Sequence, residues 1–207
     1  MPSKPSNGTR EQILESALLQ FAERGFYGTS IASIVKELGL TKQALLHYFP
    51  TKEKLYGEVL RAISEGFAGL DQTAQEAPGG AEEQVIRYFL ALNRYCLANS
   101  PQTTLLLREL LDNRPRAKNV GTWYLTEFLR TIIDKVKKVP AWEKAGDMQV
   151  LALAYTWLGA INYHAISTPT LTGIFGESEI DALSQNYPAQ LERLIRSSLA
   201  AGAPGQL

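Results

Sequence analysis

The sequence SIASIVKELGLTKQALLHYF occupies residues 30–49 and contains two short apolar-patterned segments separated by Gly39-Leu40. In the first segment, apolar residues recur at three- and four-residue steps, which predicts a helix over 30–38. Thr41 is a favoured N-cap residue and Pro50 cannot continue a helix, so a second short helix is predicted between them. Gly39 tolerates a positive φ at the end of the first helix. Two helices joined by a tight glycine-containing turn are typical of a helix-turn-helix, whose second helix enters the major groove of DNA.

Apolar and polar side chains fall on different sides of this predicted pair. The side chains that can pack the two helices together are those of Ile34, Val35, Leu38, Leu45 and Phe49. The side chains of the second helix that then point mostly outward are those of Lys42, Gln43, Ala44, Leu46, His47 and Tyr48. Short helical pairs with a glycine turn are common and most do not bind DNA, so the spacing alone leaves a purely structural role open.

Helical patterning continues on both sides of the pair. An apolar stripe from Ile13 to Ala22 predicts a first helix that Gly25 ends, and Thr51 is a suitable N-cap for a fourth helix. The stretch 71–81 contains Pro78-Gly79-Gly80 and is the best candidate for a boundary between the N-terminal helices and the rest of the chain. Beyond it we predict helices near 81–99, 101–114, 116–138, 144–167 and 188–201, with an irregular connection over 168–187. No convincing strand pattern interrupts these segments, so the predicted fold class is all-α.

Composition sets broad limits but does not indicate the function. The 207 residues are 45% hydrophobic and 20% charged, which is typical of a folded globular chain, and the formal net charge is zero. Cys96 is the sole cysteine, so no disulfide forms within the chain, which fits a reducing cytoplasm. No secretory signal is visible at the start, and the nearly apolar run 150–161 is too short to span a bilayer. We therefore expect a cytoplasmic protein that does not enter a membrane.

A longer stretch around the helical pair carries a more specific pattern. The segments FAERGFYGTS (21–30), LGLTK (38–42) and HYFPTKEKL (47–55) closely resemble the TetR family of repressors, and the resemblance covers Ile13 to Val59. It implies a homodimer in which a three-helix helix-turn-helix domain is joined by a fourth helix to a larger helical domain for ligand binding and dimerisation. It also implies an operator that is released when a small-molecule inducer binds. We accordingly expect a DNA-binding domain over 9–55 and a regulatory domain over 56–207.

The resemblance assigns DNA contacts to individual positions. The expected DNA-binding residues are Ser30, Thr41, Lys42, Gln43, Ala44, His47, Tyr48 and Lys52. Lys42 and Gln43 are suited to base edges, whereas the hydroxyls of Ser30 and Thr41 suit phosphates. Lys52 matches the phosphate-contacting lysine of the family. Leu46 stands where the family usually has tyrosine, and whether it contacts DNA stays open.

The second half of the chain is rich in aromatic residues at helical spacing. Each of them can belong to an ordinary core or line a ligand cavity between helices. The candidate ligand-binding residues are Tyr88, Trp123, Phe128, Tyr155 and His164. Tyr155 and Trp157 lie about 200° apart on one helix, so at most one of them lines a given cavity, and we favour Tyr155. The expected inducer is uncharged or singly charged and largely apolar.

The helices over 144–167 and 188–201 are apolar enough to be buried. They can pack within one subunit or form an intersubunit four-helix bundle, and the resemblance favours the bundle. The charged segment 108–116 is predicted to be a solvated turn without a function.

Two other classes of function need to be compared with DNA binding. An enzyme is disfavoured because the sequence has no nucleophile–base arrangement, no paired Cys/His ligand spacing and no Gly-rich phosphate loop after a strand. We therefore predict no catalytic residue, no cofactor and no metal site. The alternative that stays open is a helical protein-interaction module without DNA binding.

Overall fold

The computed structural model describes residues 7–75, 78–112 and 125–205. The regular structure within these ranges is helical, without a strand, which confirms the predicted all-α class. A single 3₁₀ turn, Pro140–Trp142, lies among the α-helices. The α-helices are α1 (Asn7–Gly28), α2 (Ile31–Leu38), α3 (Lys42–Tyr48), α4 (Lys52–Gln75), α5 (Ala81–Ala98), α6 (Ser100–Asp112), α7 (Thr126–Lys137), α8 (Asp147–Phe175) and α9 (Glu177–Ala201).

The chain forms two compact units that interleave along the sequence. The structure groups α6 with the N-terminal helices, which sequence patterning did not indicate. The predicted division into 9–55 and 56–207 stays a prediction about functional domains. Among the described residues, the first unit holds 7–65 and 101–112, and the second holds 66–75, 78–100 and 125–205.

The core of the first unit consists of the apolar stripes seen in the sequence. Ile13 and Phe21 of α1, Ile34 of α2, Leu45 of α3 and Leu55 of α4 are all fully buried. Their burial removes one face of each helix from water and leaves the polar faces outside. The packing therefore fixes α2 and α3 as a pair on the scaffold of α1 and α4.

Local capping explains where the short helices begin and end. Ser30 caps α2, because its Oγ accepts a hydrogen bond from the backbone N–H of Ser33 at 3.0 Å. Thr41 caps α3 in the same way, accepting from Ala44 at 3.1 Å. Gly39 ends α2 in the left-handed region, with φ 64° and ψ 25°. These features confirm the predicted helix–turn–helix geometry over 30–49.

The charged segment over 108–116 is not simply a solvated turn. Glu109 on α6 is buried, and its carboxylate accepts a hydrogen bond from the hydroxyl of Tyr56 on α4 at 2.6 Å. The prediction is therefore wrong for Glu109, because burial of a carboxylate requires partners that local sequence does not reveal. Arg114, Pro115 and Arg116 lie outside the described residues.

The core of the second unit is formed mainly by α5, α8 and α9. The rings of Phe89 and Trp157 meet edge to face with centroids 4.9 Å apart, and both side chains are fully buried. The indole N–H of Trp142 donates to the carbonyl of Leu199 at 3.0 Å, which fixes the end of α9. The apolar helices of the second half therefore each bury one face within this unit.

The predicted irregular connection over 168–187 is wrong. Helix α8 continues through Pro169 to Phe175, and α9 begins at Glu177 and contains Pro188. A proline removes one backbone hydrogen bond, and at these two positions the surrounding turns keep the helix intact. The break lies instead at Gly176, whose φ of 88° is accessible to glycine at low cost. The helices predicted over 144–167 and 188–201 are thus longer than expected.

Candidate nucleic-acid interface

Helix α3 presents a polar surface supported by a single buried residue. Leu45 is its one buried side chain and anchors the helix in the first unit. Lys42, Gln43 and His47 are exposed, and we call these three residues the reading face. They combine an ammonium group and an imidazole ring with an amide, which together offer hydrogen-bond donors and acceptors of the kinds that bind base edges.

The remaining outward positions of α3 are half-buried. Ala44, Leu46 and Tyr48 each keep part of their surface in contact with solvent. The hydroxyl of Tyr48 is buried and makes no hydrogen bond to any described residue. Contact between this hydroxyl and a phosphate therefore requires rotation of the side chain, whereas the ring edge is already near the ring of His47, with centroids 5.8 Å apart.

The hydroxyls of Ser30 and Thr41 lie at the exposed N-termini of α2 and α3. Each oxygen accepts from its own helix, so the hydroxyl hydrogen of Thr41 stays able to donate outward. The positive end of the helix dipole adds to this arrangement. Both sites have the chemistry expected of phosphate contacts.

Lys52 has a structural role that sequence reasoning missed. Its ammonium group donates to the backbone carbonyl of Thr29 at 2.8 Å and lies 4.3 Å from the centroid of the Phe26 ring. These contacts connect the start of α4 to the segment that leads into α2. The proposed phosphate lysine is therefore held in place by the helix-turn-helix itself.

Arg10 of α1 is a second cation that the sequence did not single out. Its guanidinium bonds Glu58 of α4 at 2.5 Å and lies 5.3 Å from the centroid of the Phe49 ring, which ends α3. Glu58 also accepts from Arg61 at 2.8 Å, and this hydrogen bond lowers the pKa of the Glu58 carboxyl. Arg10 thus connects α1, α3 and α4. Its partners are 39 and 48 positions away, beyond the range of any local pattern.

The candidate ligand-binding residues of the second half occupy different environments. Tyr88 is buried on α5, with the ammonium of Lys135 5.2 Å from its ring centroid. Phe128 is half-buried and packs against Phe67 at a centroid distance of 4.6 Å. Tyr155 is 51% exposed on the outer face of α8. Trp123 lies outside the described residues.

His164 lies in a buried polar cluster of the second unit. Its Nδ1 is 3.4 Å from Oδ1 of Asn93, and its ring stacks on Tyr187 with centroids 3.7 Å apart. Nε2 is buried and has no hydrogen-bond partner among the described residues. Burial lowers the pKa of His164 below its ordinary 6.5 and raises that of Tyr187 above 10.0. A neutral imidazole therefore offers one polar nitrogen inside the unit.

The described residues contain no group of three or more His, Cys, Asp or Glu side chains that could hold a metal ion. No helix in the ranges that the structure covers combines the length and apolar character needed to cross a membrane.

The segment that contains the reading face is similar to a known protein family. Residues 13–59 match the family model described as bacterial regulatory proteins, tetR family. The matched segment contains α2, α3, the turn at Gly39 and the beginning of α4. It therefore coincides with the part of the chain that carries the reading face.

Relatives extend over nearly the whole chain. The HTH-type transcriptional regulator RutR of Escherichia coli O157:H7 is 28% identical over 201 residues, covering 93% of this chain and 91% of RutR. A TetR-like transcriptional regulator from Rhodococcus sp. RHA1 has the same fold, with a TM-score of 0.68, 21% identity and coverage of 95% and 99%. A transcriptional regulator from Saccharomonospora viridis, solved in complex with choline, aligns with a TM-score of 0.64, 21% identity and coverage of 92% and 97%.

Proposed function

Because its N-terminal segment belongs to the TetR family of DNA-binding transcriptional regulators, we propose that this chain is a homodimeric repressor released from its operator by a small, largely apolar inducer. The observation that carries the DNA-binding part is the reading face on α3. Three exposed polar residues stand on a helix held by a single buried leucine, an arrangement that contributes little to the core. A protein surface of this kind is suited to the major groove.

The residues of the reading face have distinct roles in this proposal. Lys42 donates to guanine and Gln43 pairs with the amino group and N7 of adenine. Ala44 contacts a thymine methyl group, and His47 and Tyr48 face the same groove. Ser30, Thr41 and Lys52 bind phosphates and set the register of the helix along the duplex.

Selection from a random duplex library tests sequence-specific binding, because the protein itself then selects the operator sequence. We expect enrichment of a two-fold symmetric site whose half-sites lie about 34 Å apart or one further turn away. The Lys42→Ala/Gln43→Ala variant, which leaves the buried Leu45 in place, is the matched control and should enrich nothing. Equal retention of all duplexes by both proteins would contradict sequence-specific recognition.

The outer face of α8 supports the dimer. Apolar side chains exposed at helical spacing on this face are Met148, Tyr155, Tyr163, Ile166 and Ile174. The opposite face of the same helix is buried within the unit, through residues such as Trp157 and Ile161. Burial of one face within the subunit and exposure of the other support the proposal that the exposed face packs against a second copy.

Helix α9 has the same division. Leu191, Ile195 and Leu199 are buried in the unit, while Leu194 and Leu183 are exposed. We propose that α8 and α9 of two subunits form a four-helix bundle through their outer faces. Tyr155 lies on this outer face, so its position supports an interface role better than the cavity role favoured from sequence.

The inducer site is proposed for the interior of the second unit. Supporting it are the neutral His164 with its buried Nε2 and the neighbouring Asn93, which provide polar groups inside an apolar surrounding. Tyr88 and Phe128 provide aromatic surface, and Trp123 stays a prediction. Such a site fits a largely apolar molecule with one hydrogen-bonding group.

Native mass spectrometry of the purified protein, followed by operator titration with any copurified compound, tests the inducer. We expect a bound small molecule whose addition lowers operator affinity. By linkage, operator DNA must lower the affinity for that molecule by the same factor. An operator complex unaffected by copurified material and by a panel of apolar compounds would leave a constitutive DNA-binding dimer.

A further inference from the structure

The tautomer of His164 is set by its neighbour on α5. Nδ1 of the imidazole lies 3.4 Å from Oδ1 of Asn93, and the two residues are 4% and 1% exposed. An amide oxygen only accepts hydrogen bonds, so Nδ1 is the nitrogen that carries the proton. A neutral imidazole has one N–H group, and the hydrogen bond made by one nitrogen decides the role of the other. Nε2 is therefore a hydrogen-bond acceptor.

The ring of His164 is held in one orientation. Tyr187 of α9 stacks on one face of the imidazole, with ring centroids 3.7 Å apart and an interplanar angle of 22°. The hydroxyl of Tyr187 donates to the backbone carbonyl of Ala160 on α8 at 2.7 Å, which fixes the tyrosine in turn. Three helices of the second unit, α5, α8 and α9, thus fix the direction in which Nε2 points.

Nε2 meets no donor in the part of the chain that the structure describes. On α8, the buried residues that flank His164 are Ile161 and Ala165, whose side chains are apolar. A buried acceptor without a donor has lost its hydrogen bond to water and gained nothing in exchange. A ligand that brings a donor to this nitrogen recovers that loss, whereas a ligand without a donor does not.

An ionised carboxylate is the wrong partner for this nitrogen. Its oxygens only accept hydrogen bonds, so it has no proton to donate to Nε2. Burial also lowers the pKa of His164, so at neutral pH the imidazole does not become a cation that would attract an anion. Lys135 of α7 is a buried cation in the same unit, with its ammonium 5.2 Å from the centroid of the Tyr88 ring. An anionic ligand would therefore be drawn to Lys135 rather than to His164.

Resting on the proposed function for the existence of a small ligand, we infer that the second unit binds a neutral molecule whose N–H or O–H group donates to Nε2 of His164. Amides, alcohols and phenols meet this requirement, whereas ethers, esters and fatty carboxylates do not. A ligand that lacks the donor leaves Nε2 unpaired in the complex. Its affinity is therefore lower than that of the matching donor by roughly 5-fold or more.

Nitrogen NMR of the full-length protein with isotope-labelled histidine measures the tautomer without DNA or ligand. His47 and His164 are the two histidines of the chain, so His47→Gln leaves a single imidazole and assigns its signals. At neutral pH we expect a proton on Nδ1 of His164 and none on Nε2. Asn93→Leu removes the acceptor and should increase the form with the proton on Nε2. A proton on Nε2 in the unaltered protein would reverse the requirement on the ligand and overturn the inference, whether or not Asn93→Leu folds.

A panel of neutral apolar compounds, each paired with a methylated derivative that has lost its donor, tests the class of ligand. Indole with N-methylindole and naphthol with methoxynaphthalene are two such pairs, and naphthoate provides the anion. We expect a donor compound to bind in calorimetry and to shift the Nε2 resonance of His164, and its methylated partner to bind more weakly by roughly 5-fold or more. His164→Phe keeps an aromatic ring beside Tyr187 without the nitrogen, and it should bind both members of a pair equally.

Three results would contradict the inference. They are a panel in which no donor compound shifts the Nε2 resonance, a methylated derivative that binds as tightly as its parent, and preferential binding of naphthoate that is lost in Lys135→Met. Failure of the proposed function looks different. A donor compound that binds at His164 and leaves the affinity for a selected operator unchanged supports the class of ligand and refutes its role as an inducer. Release of the operator by a compound without a donor supports the inducer and overturns the inference.

Discussion

Replacing Gly39 with alanine isolates the backbone energy of the helix-turn-helix turn. Gly39 has a φ of 64°, and a Cβ added there would meet no atom within 4 Å. The substitution therefore introduces no clash, and its cost comes from the left-handed backbone, about 1–2 kcal/mol for a non-glycine residue. Alanine also restricts the unfolded chain, which offsets roughly 0.4–1 kcal/mol. We expect a net loss of about 1 kcal/mol in the free energy of unfolding.

Urea denaturation measures this loss, with the m-value expected to stay constant. Gly39→Asn is the matched control, because asparagine visits the left-handed region more readily than alanine, and it should lose less stability. Operator affinity of the folded Gly39→Ala protein should be nearly unchanged if the turn keeps its geometry. Two results would refute the left-handed assignment of this turn. One is an alanine variant as stable as the unaltered protein, and the other is an alanine variant clearly more stable than the asparagine variant.

Four further perturbations follow from the interface, the dimer and the buried histidine. Gln43→Ala should weaken a selected operator by ~1–3 kcal/mol and spare random duplexes; equal losses on both would show that Gln43 does not contact bases. Lys52→Ala should lower the slope of log affinity against log salt by about one, as expected for loss of one phosphate contact, and an unchanged slope rules that contact out. The Tyr163→Glu/Leu194→Glu variant should sediment as a folded monomer at micromolar concentration, since both side chains are exposed in the subunit; a persistent dimer would place the interface elsewhere. Burial lowers the pKa of His164 in the folded protein, so the unfolded chain binds the proton more tightly. The free energy of unfolding therefore keeps its full value above the ordinary pKa of 6.5 and falls as the pH decreases below it. His164→Gln should reduce that loss in urea titrations between about pH 7.5 and pH 5, and an identical pH profile would contradict it.

Local patterns were sufficient for the helix-turn-helix. The apolar spacing of Ile34 and Leu45, the caps Ser30 and Thr41, and the turn glycine all act within a few residues of one another, so each can be recognised in the linear sequence. The same logic predicted that the first helix ends at Gly25; the structure has a non-helical kink there, with a φ of 72°, and α1 continues beyond it to Gly28. Agreement among these short-range signals explains why the fold class and the reading face were predictable.

Contacts between distant segments were not predictable in this way. In the sequence, Glu109 lies in a charged segment, which predicts a surface residue. It is buried because it packs against Tyr56, 53 positions earlier in the chain. The double contact of Arg10 with Phe49 and Glu58 has the same origin. The irregular connection predicted around Pro169 is wrong for another reason. A single missing backbone hydrogen bond does not end a helix whose neighbouring turns keep their hydrogen bonds.

The division of labour within α3 has a consequence for how such a protein diversifies. Only Leu45 of this helix is buried, so Lys42, Gln43 and His47 can be exchanged at little expense in folding stability. Most substitutions elsewhere in a protein lower its folding stability. A surface whose side chains contribute little to that stability therefore tolerates many different residues. Under the proposed function, gene duplication followed by changes at these three exposed positions would direct a copy to a different operator, while the scaffold that presents them stays the same.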